Sequence, residues 1–73
     1  MRERIMQLIK DTLELTNVSD DISQENCDRW DSMRHLHLVI ALEMEFGVSF
    51  EPEEIMAMLS LSEIEKKIEA KLI

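Results

Sequence analysis

The stretch DRWDSMRHLHLVIALEMEF, residues 28–46, decides how this chain folds. Placed on a helical wheel at about 100° per residue, Leu38, Val39, Leu42 and Phe46 fall together as one apolar face. Met33, Leu36, Ile40 and Met44 form a second apolar face, roughly 150° away by the same rule. The helix starts at Asp31 or Ser32, both good N-caps, and Asp31 also complements the positive helix end. It stops at Gly47, the chain's one glycine, which suits a left-handed C′ residue. A helix apolar on two sides is either central in its bundle or meets something outside it. In 73 residues few helices can be covered all round.

The flanking sequence is helical in period as well. Ile5, Leu8, Ile9, Thr12 and Leu13 follow the i, i+3, i+4, i+7, i+8 spacing and predict a first helix from Arg2 to Leu15. The polar segment TNVSDDISQENCDRWD, residues 16–31, is rich in turn and cap formers. A loop of that length needs anchors, and Val18, Ile22 and Trp30 are the candidates. Pro52 suits the first turn of a short third helix, Pro52 to Met58, with Glu53 and Glu54 at its positive end. Ser60-Leu61-Ser62-Glu63 has the capping-box pattern that opens a fourth helix, whose apolar face is Leu61, Ile64, Ile68 and Leu72. The expectation is all-α: a single domain over residues 1–73, a small four-helix bundle of three longer helices and one short helix, with a long loop between helices one and two.

Composition sets the bounds on function. The formal net charge is −8, and no lysine or arginine lies between Arg34 and Lys66, an interval holding Glu43, Glu45, Glu51, Glu53, Glu54, Glu63 and Glu65. Such a surface repels phosphates, which argues against nucleic acid as a partner. It serves equally for solubility and for attracting a basic protein surface. One cysteine, Cys27, gives no internal disulfide and no CxxC pair. No apolar run approaches the roughly 20 residues of a membrane span, and MRERIMQLIK lacks the core of a secretory signal, so the expectation is a soluble cytoplasmic protein; a monomer is expected as well. His35 and His37, two apart on a helix, project in nearly opposite directions and do not form a metal pair. Asp20, Asp21, Glu25 and Asp28 lack the glycine and ligand spacing of a calcium loop. The expectation is no metal site.

Ser32 admits three readings. As a hydrolase nucleophile it would need His35 and Asp31, but Asp31 is adjacent in sequence and poorly placed to orient the far side of the imidazole. There is also no G-x-S-x-G elbow and no glycine nearby for an oxyanion hole. As a helix cap it would play a very common role. As the substrate of another enzyme it would be a reachable hydroxyl at a helix start, beside an acid and an apolar ridge.

WDSM, followed by LVIALEMEFGVSF, PEE and LSLSEIEKKI, resembles the acyl carrier proteins over nearly the whole chain. The likeness centres on Asp31-Ser32-Met33 at the head of a helix that ends in Glu43-Met44-Glu45-Phe46. It implies that Ser32 carries a 4′-phosphopantetheine taken from coenzyme A, with Asp31 and Met33 completing the motif. It implies no catalytic residues in the chain itself, a phosphopantetheinyl transferase as partner, and acyl-loading and acyl-processing enzymes that dock on Met33, Arg34, Leu36, His37, Ile40, Glu43 and Met44. Met6, Met44, Met56 and Met58 would help the core accommodate a guest chain, or serve as plain core filler. The sequence departs from many carriers of fatty-acid synthesis at Arg29-Trp30, where a small pair is usual, at Met33 for Leu, and at Arg34, His35 and His37, where acids are usual. The resemblance implies a role in fatty-acid, lipid or specialised-metabolite biosynthesis; the departures point away from general fatty-acid synthesis, toward a specialised carrier with its own partner or an aminoacyl or peptidyl carrier. A helical adaptor that docks through Met33, Leu36 and Ile40 without any cofactor is the reading from a different class.

Overall fold

The computed structural model describes residues 1–72. Four α-helices are present among them: α1 (Arg2–Leu13), α2 (Ser32–Phe46), α3 (Pro52–Ala57) and α4 (Leu61–Leu72). A short 3-10 turn, Gln24–Asn26, lies in the long first loop. The bundle expected from the periodicity is the fold observed. The radius of gyration, 11.0 Å, is what a globular chain of this length gives, about 11 Å.

Each long helix contributes one buried stripe. Ile5, Ile9 and Leu13 come from α1, Leu38, Val39 and Leu42 from α2, and Leu61, Ile64 and Ile68 from α4. Met58 and Phe50, on either side of α3, and Ile22 and Trp30, from the first loop, complete the core. The loop is thus held by two of its three expected anchors, while Val18 is half-buried.

The helix ends explain where the expected boundaries shift. α1 stops at Leu13, not Leu15, because Glu14 turns into the left-handed region (φ 56°) and the Leu15 N–H returns to the Lys10 carbonyl at 2.9 Å. α2 ends as expected at Gly47 (φ 66°), whose N–H and that of Val48 both reach the Glu43 carbonyl. Pro52 is in the first turn of α3, where its missing N–H costs nothing, and Met58 is the residue that ends that helix rather than its last turn. At the head of α4 the Ser60 hydroxyl accepts the Glu63 N–H at 3.1 Å, half of the expected capping box; the Glu63 carboxylate instead reaches Lys66 at 3.7 Å.

Expected core positions are corrected at Phe46, at Leu72 and among the methionines. Phe46 is half-buried at the rim of the core rather than inside it. Leu72 is exposed, because burial along α4 ends at Ile68 and the last turn carries no covered residue. Of the four methionines proposed as adaptable lining, only Met58 is fully buried and Met6 is half-buried; Met44 and Met56 lie on the surface at 80% and 75% exposure.

The loop before α2 is stitched to the start of α4. The Leu61 N–H donates to the Ile22 carbonyl at 3.0 Å and the Gln24 N–H to the Leu59 carbonyl at 2.8 Å, around an isolated antiparallel bridge between Ser23 and Ser60. Across the other ends, Lys71 pairs with Glu54 at 2.8 Å and sits 5.5 Å from the Phe50 ring centre. The Glu51 backbone N–H and then the Lys71 ammonium hold the Glu54 carboxyl below its ordinary range.

The core assignment has a direct test in chemical denaturation. Leu42→Ala should cost about 2–5 kcal/mol as a core cavity. Leu72→Ala should stay within about 0.5 kcal/mol of the parent, as surface substitutions do.

Candidate functional site

Asp31, not Ser32, caps α2. Its Oδ1 accepts the Arg34 N–H at 2.9 Å and its backbone carbonyl accepts the His35 N–H at 2.8 Å. Its Oδ2 accepts from Arg34 Nη1 at 2.9 Å, so one carboxylate both caps the helix and holds the guanidinium. Ser32 is therefore the first helical residue. Its side chain is exposed, and its hydroxyl makes no hydrogen bond among the described residues. The N–H groups of Ser32 and Met33 also lack partners there, as the first-turn donors of a helix do. The site is a free primary alcohol at the positive end of a helix four turns long.

His35 lies three residues into α2, with only 6% of its surface exposed, and it is the one buried polar side chain among the described residues. Trp30 Nε1 donates to His35 Nδ1 at 3.0 Å, and His35 Nε2 meets the Ile55 carbonyl at 2.8 Å. An indole N–H only donates, so Nδ1 is the acceptor, and the ring proton sits on Nε2 and goes to Ile55. The ring ties the first loop, α2 and α3 together. It has no free nitrogen lone pair to offer the Ser32 hydroxyl, and Asp31 is already engaged by Arg34. His37, two residues on, is exposed, as the opposed projection of the pair requires. No three His, Cys, Asp or Glu side chains converge among the described residues.

Two depressions flank Ser32. One, of about 340 Å³, opens between the start of α2 and α3; Ser32, Leu36, Ile55, Met56 and Leu59 line it, with His35 and Gln24. The other, about 410 Å³, is polar and runs toward the end of α1, lined by Thr12, Glu14, Asp31, Met33, Arg34 and His37.

The second apolar stripe of α2 is uncovered. Met33 is 70% exposed, Leu36 and Ile40 54% each, and Met44 80%. Met56 and Leu59 extend it across α3. The charged members of the expected docking set are placed differently. Glu43 is half-buried, and its Oε2 accepts the Phe50 N–H at 2.8 Å, fixing the connector after Gly47 rather than standing free beside the ridge. Arg34 is held by Asp31 and by the Arg29 carbonyl, at 3.4 Å. Outside that set, Glu45 is paired with Arg4 of α1 at 2.9 Å, which keeps its carboxyl below the ordinary range. Sequence reasoning missed the bridging role of His35. The signal was present as a tryptophan five residues before a histidine at a helix start, but the third partner, a backbone carbonyl of α3, has no signature in sequence.

No family model matches the chain, and no match was found among curated proteins.

The division of labour at the head of α2 predicts an asymmetry between neighbours. Asp31→Ala should destabilise the fold by about 0.5–2 kcal/mol, as loss of a cap does. Ser32→Ala should change it by less than about 0.5 kcal/mol. Urea unfolding of the two variants beside the parent measures both.

Proposed function

We propose that this chain is a carrier protein of the acyl carrier type, with a 4′-phosphopantetheine attached through Ser32. The observation that carries the reading is the state of that serine. Its neighbour does the capping, so its hydroxyl is exposed and uncommitted beside an apolar-walled depression. A cap serine would have its oxygen engaged by the helix; this one has chemistry to spare.

The residues present fit the group. A phosphodiester on Ser32 would lie at the amino end of α2, next to the unpartnered N–H groups of Ser32 and Met33, where a helix favours negative charge. In attachment, the Ser32 oxygen forms the new bond to the β-phosphorus of coenzyme A and loses its proton to a base of the transferase; adenosine 3′,5′-bisphosphate leaves. When bound, the arm supplies the thiol that holds an acyl or aminoacyl group as a thioester. The chain's own part is to present the serine, hold the backbone around it rigid through Asp31 and His35, and offer partner enzymes a surface. That surface is the Met33–Leu36–Ile40–Met44 ridge with Met56 and Leu59. We place the protein in the cytoplasm, where coenzyme A is at hand for the modification; no helix among the described residues is long and apolar enough to cross a membrane.

The uncovered ridge also supports a second reading, a helical adaptor with no cofactor. Intact mass separates the two. Incubated with a broad-specificity phosphopantetheinyl transferase, coenzyme A and magnesium, the protein should gain one arm, and Ser32→Ala, while folded, should gain none. An unchanged parent mass leaves the adaptor as the better account.

The ridge has its own test. Leu36→Ala and Ile40→Ala should leave unfolding free energy within about 1 kcal/mol of the parent while slowing transfer to or from a partner enzyme. Losses of about 2–5 kcal/mol, typical of buried aliphatic residues, would mean that the stripe is core.

A further inference from the structure

A depression opens beside Ser32 between the start of α2 and α3, and its inner wall is bolted. His35 stands in it, bonded on one side to the Ile55 carbonyl at 2.8 Å and on the other to the Trp30 indole at 3.0 Å. Ile55 and His35 are themselves walls of the depression beside Ser32. The core includes Trp30, Leu38, Met58 and Leu61, each at 1% exposure or less. A guest chain that entered the core here would have to part His35 from Ile55. That would leave the His35 Nε2–H without a partner, a costly outcome for a group removed from water, and leave the Ile55 carbonyl with the Met58 N–H alone, at 3.3 Å. Swinging the ring out instead would orphan the indole N–H of Trp30 inside the core. An apolar side chain at position 35 would have no bond to Ile55 to break, while leaving the Trp30 indole N–H unpartnered from the start. The open depression outside this bolt, about 340 Å³, is walled by Leu36, Ile55, Met56 and Leu59 and edged by Gln24, Ser32 and the imidazole.

Resting on the carrier reading, we infer that the Trp30–His35–Ile55 strut bars the core to the cargo, so that the arm on Ser32 carries short or polar acyl groups held in the open depression rather than long alkyl chains buried between helices. The substrate class follows from the energetics. A short or hydroxylated or amino-bearing acyl group loses little by staying in contact with water, whereas each exposed methylene of a long chain forgoes the gain of burial.

The test is a chain-length series on the intact protein. A broad-specificity transferase loads Ser32 from acetyl-, butyryl-, octanoyl- and dodecanoyl-coenzyme A, and intact mass verifies each product. Thermal midpoints are then measured, with amide exchange at Leu38, Leu42 and Ile64. The inference requires midpoints equal within about 2 °C and unchanged core exchange. A midpoint that climbs with chain length overturns it; two buried methylenes alone would raise it by roughly 6 °C or more in a domain of this size. His35→Ala should release the bolt, so that the dodecanoyl form of the variant melts above its acetyl form. A folded variant whose series stays flat overturns the role given to the strut. Should the variant not fold, the parent series still decides. Absence of any mass increment on the parent is a separate outcome, which removes the carrier reading and this inference with it.

Discussion

A buried indole N–H has to find an acceptor, and the arrangement around Ser32 follows from where this one finds it. Trp30 is the largest side chain in the core and the last residue of the loop before the Asp31 cap. Its N–H goes to His35, which fixes the tautomer of the ring, and the tautomer fixes the second bond, to the Ile55 carbonyl. A single polar contact thereby sets the register of the loop against α2 and the distance of α3 from α2. Every buried side-chain nitrogen and oxygen among the described residues has a partner, so the polar strut is closed at both ends. A half-satisfied network in the same place would be worse than an apolar one.

The parts of the fold written in sequence are those governed by local rules. Helical period located all four helices, Gly47 the end of α2, Pro52 the start of α3 and Ser60 the start of α4. The errors fall where non-local geometry decides. Phe46 and Leu72 have the right period for burial, yet they lie at the ends of their helices, and periodicity does not say how far along a helix the covering partners extend. Glu14 takes a conformation that a glutamate seldom adopts, and nothing in its side chain advertises it. Ser32 and Asp31 are both good caps on paper. Only the observed bonds show that Asp31 does the work, which frees the serine. The two stripes of α2 could be read from the wheel; the bare state of the second depends on α3 being short and set to one side.

Charge is used differently from what composition suggests. The acidic interval from Glu43 to Glu65 reads as a free field facing a partner. In the folded chain Glu43 holds a backbone N–H, Glu45 meets Arg4, Glu54 meets Lys71, and Glu65 meets Arg2. These links join α1 to α2, α3 to α4 and α1 to α4. Pairs this exposed add little stability singly, but they consume the charge that would otherwise stand beside the apolar ridge. What α2 offers outward is mostly methionine, leucine and isoleucine, so area and shape count for more in the proposed docking than long-range attraction does.

The left-handed turn at Glu14 carries an engineering consequence. A side chain there crowds its own backbone, and glycine would relieve the clash at the expense of a looser unfolded chain, for a net gain of up to about 1 kcal/mol. Yet Glu14 and Asp31 are the two carboxylates lining the polar depression that also holds Arg34 and His37. Glycine would ease the backbone and delete half of that negative charge in one step. Thermal hardiness and the electrostatic character of the depression are therefore set by the same residue, and a variant bred for the first would drift in the second.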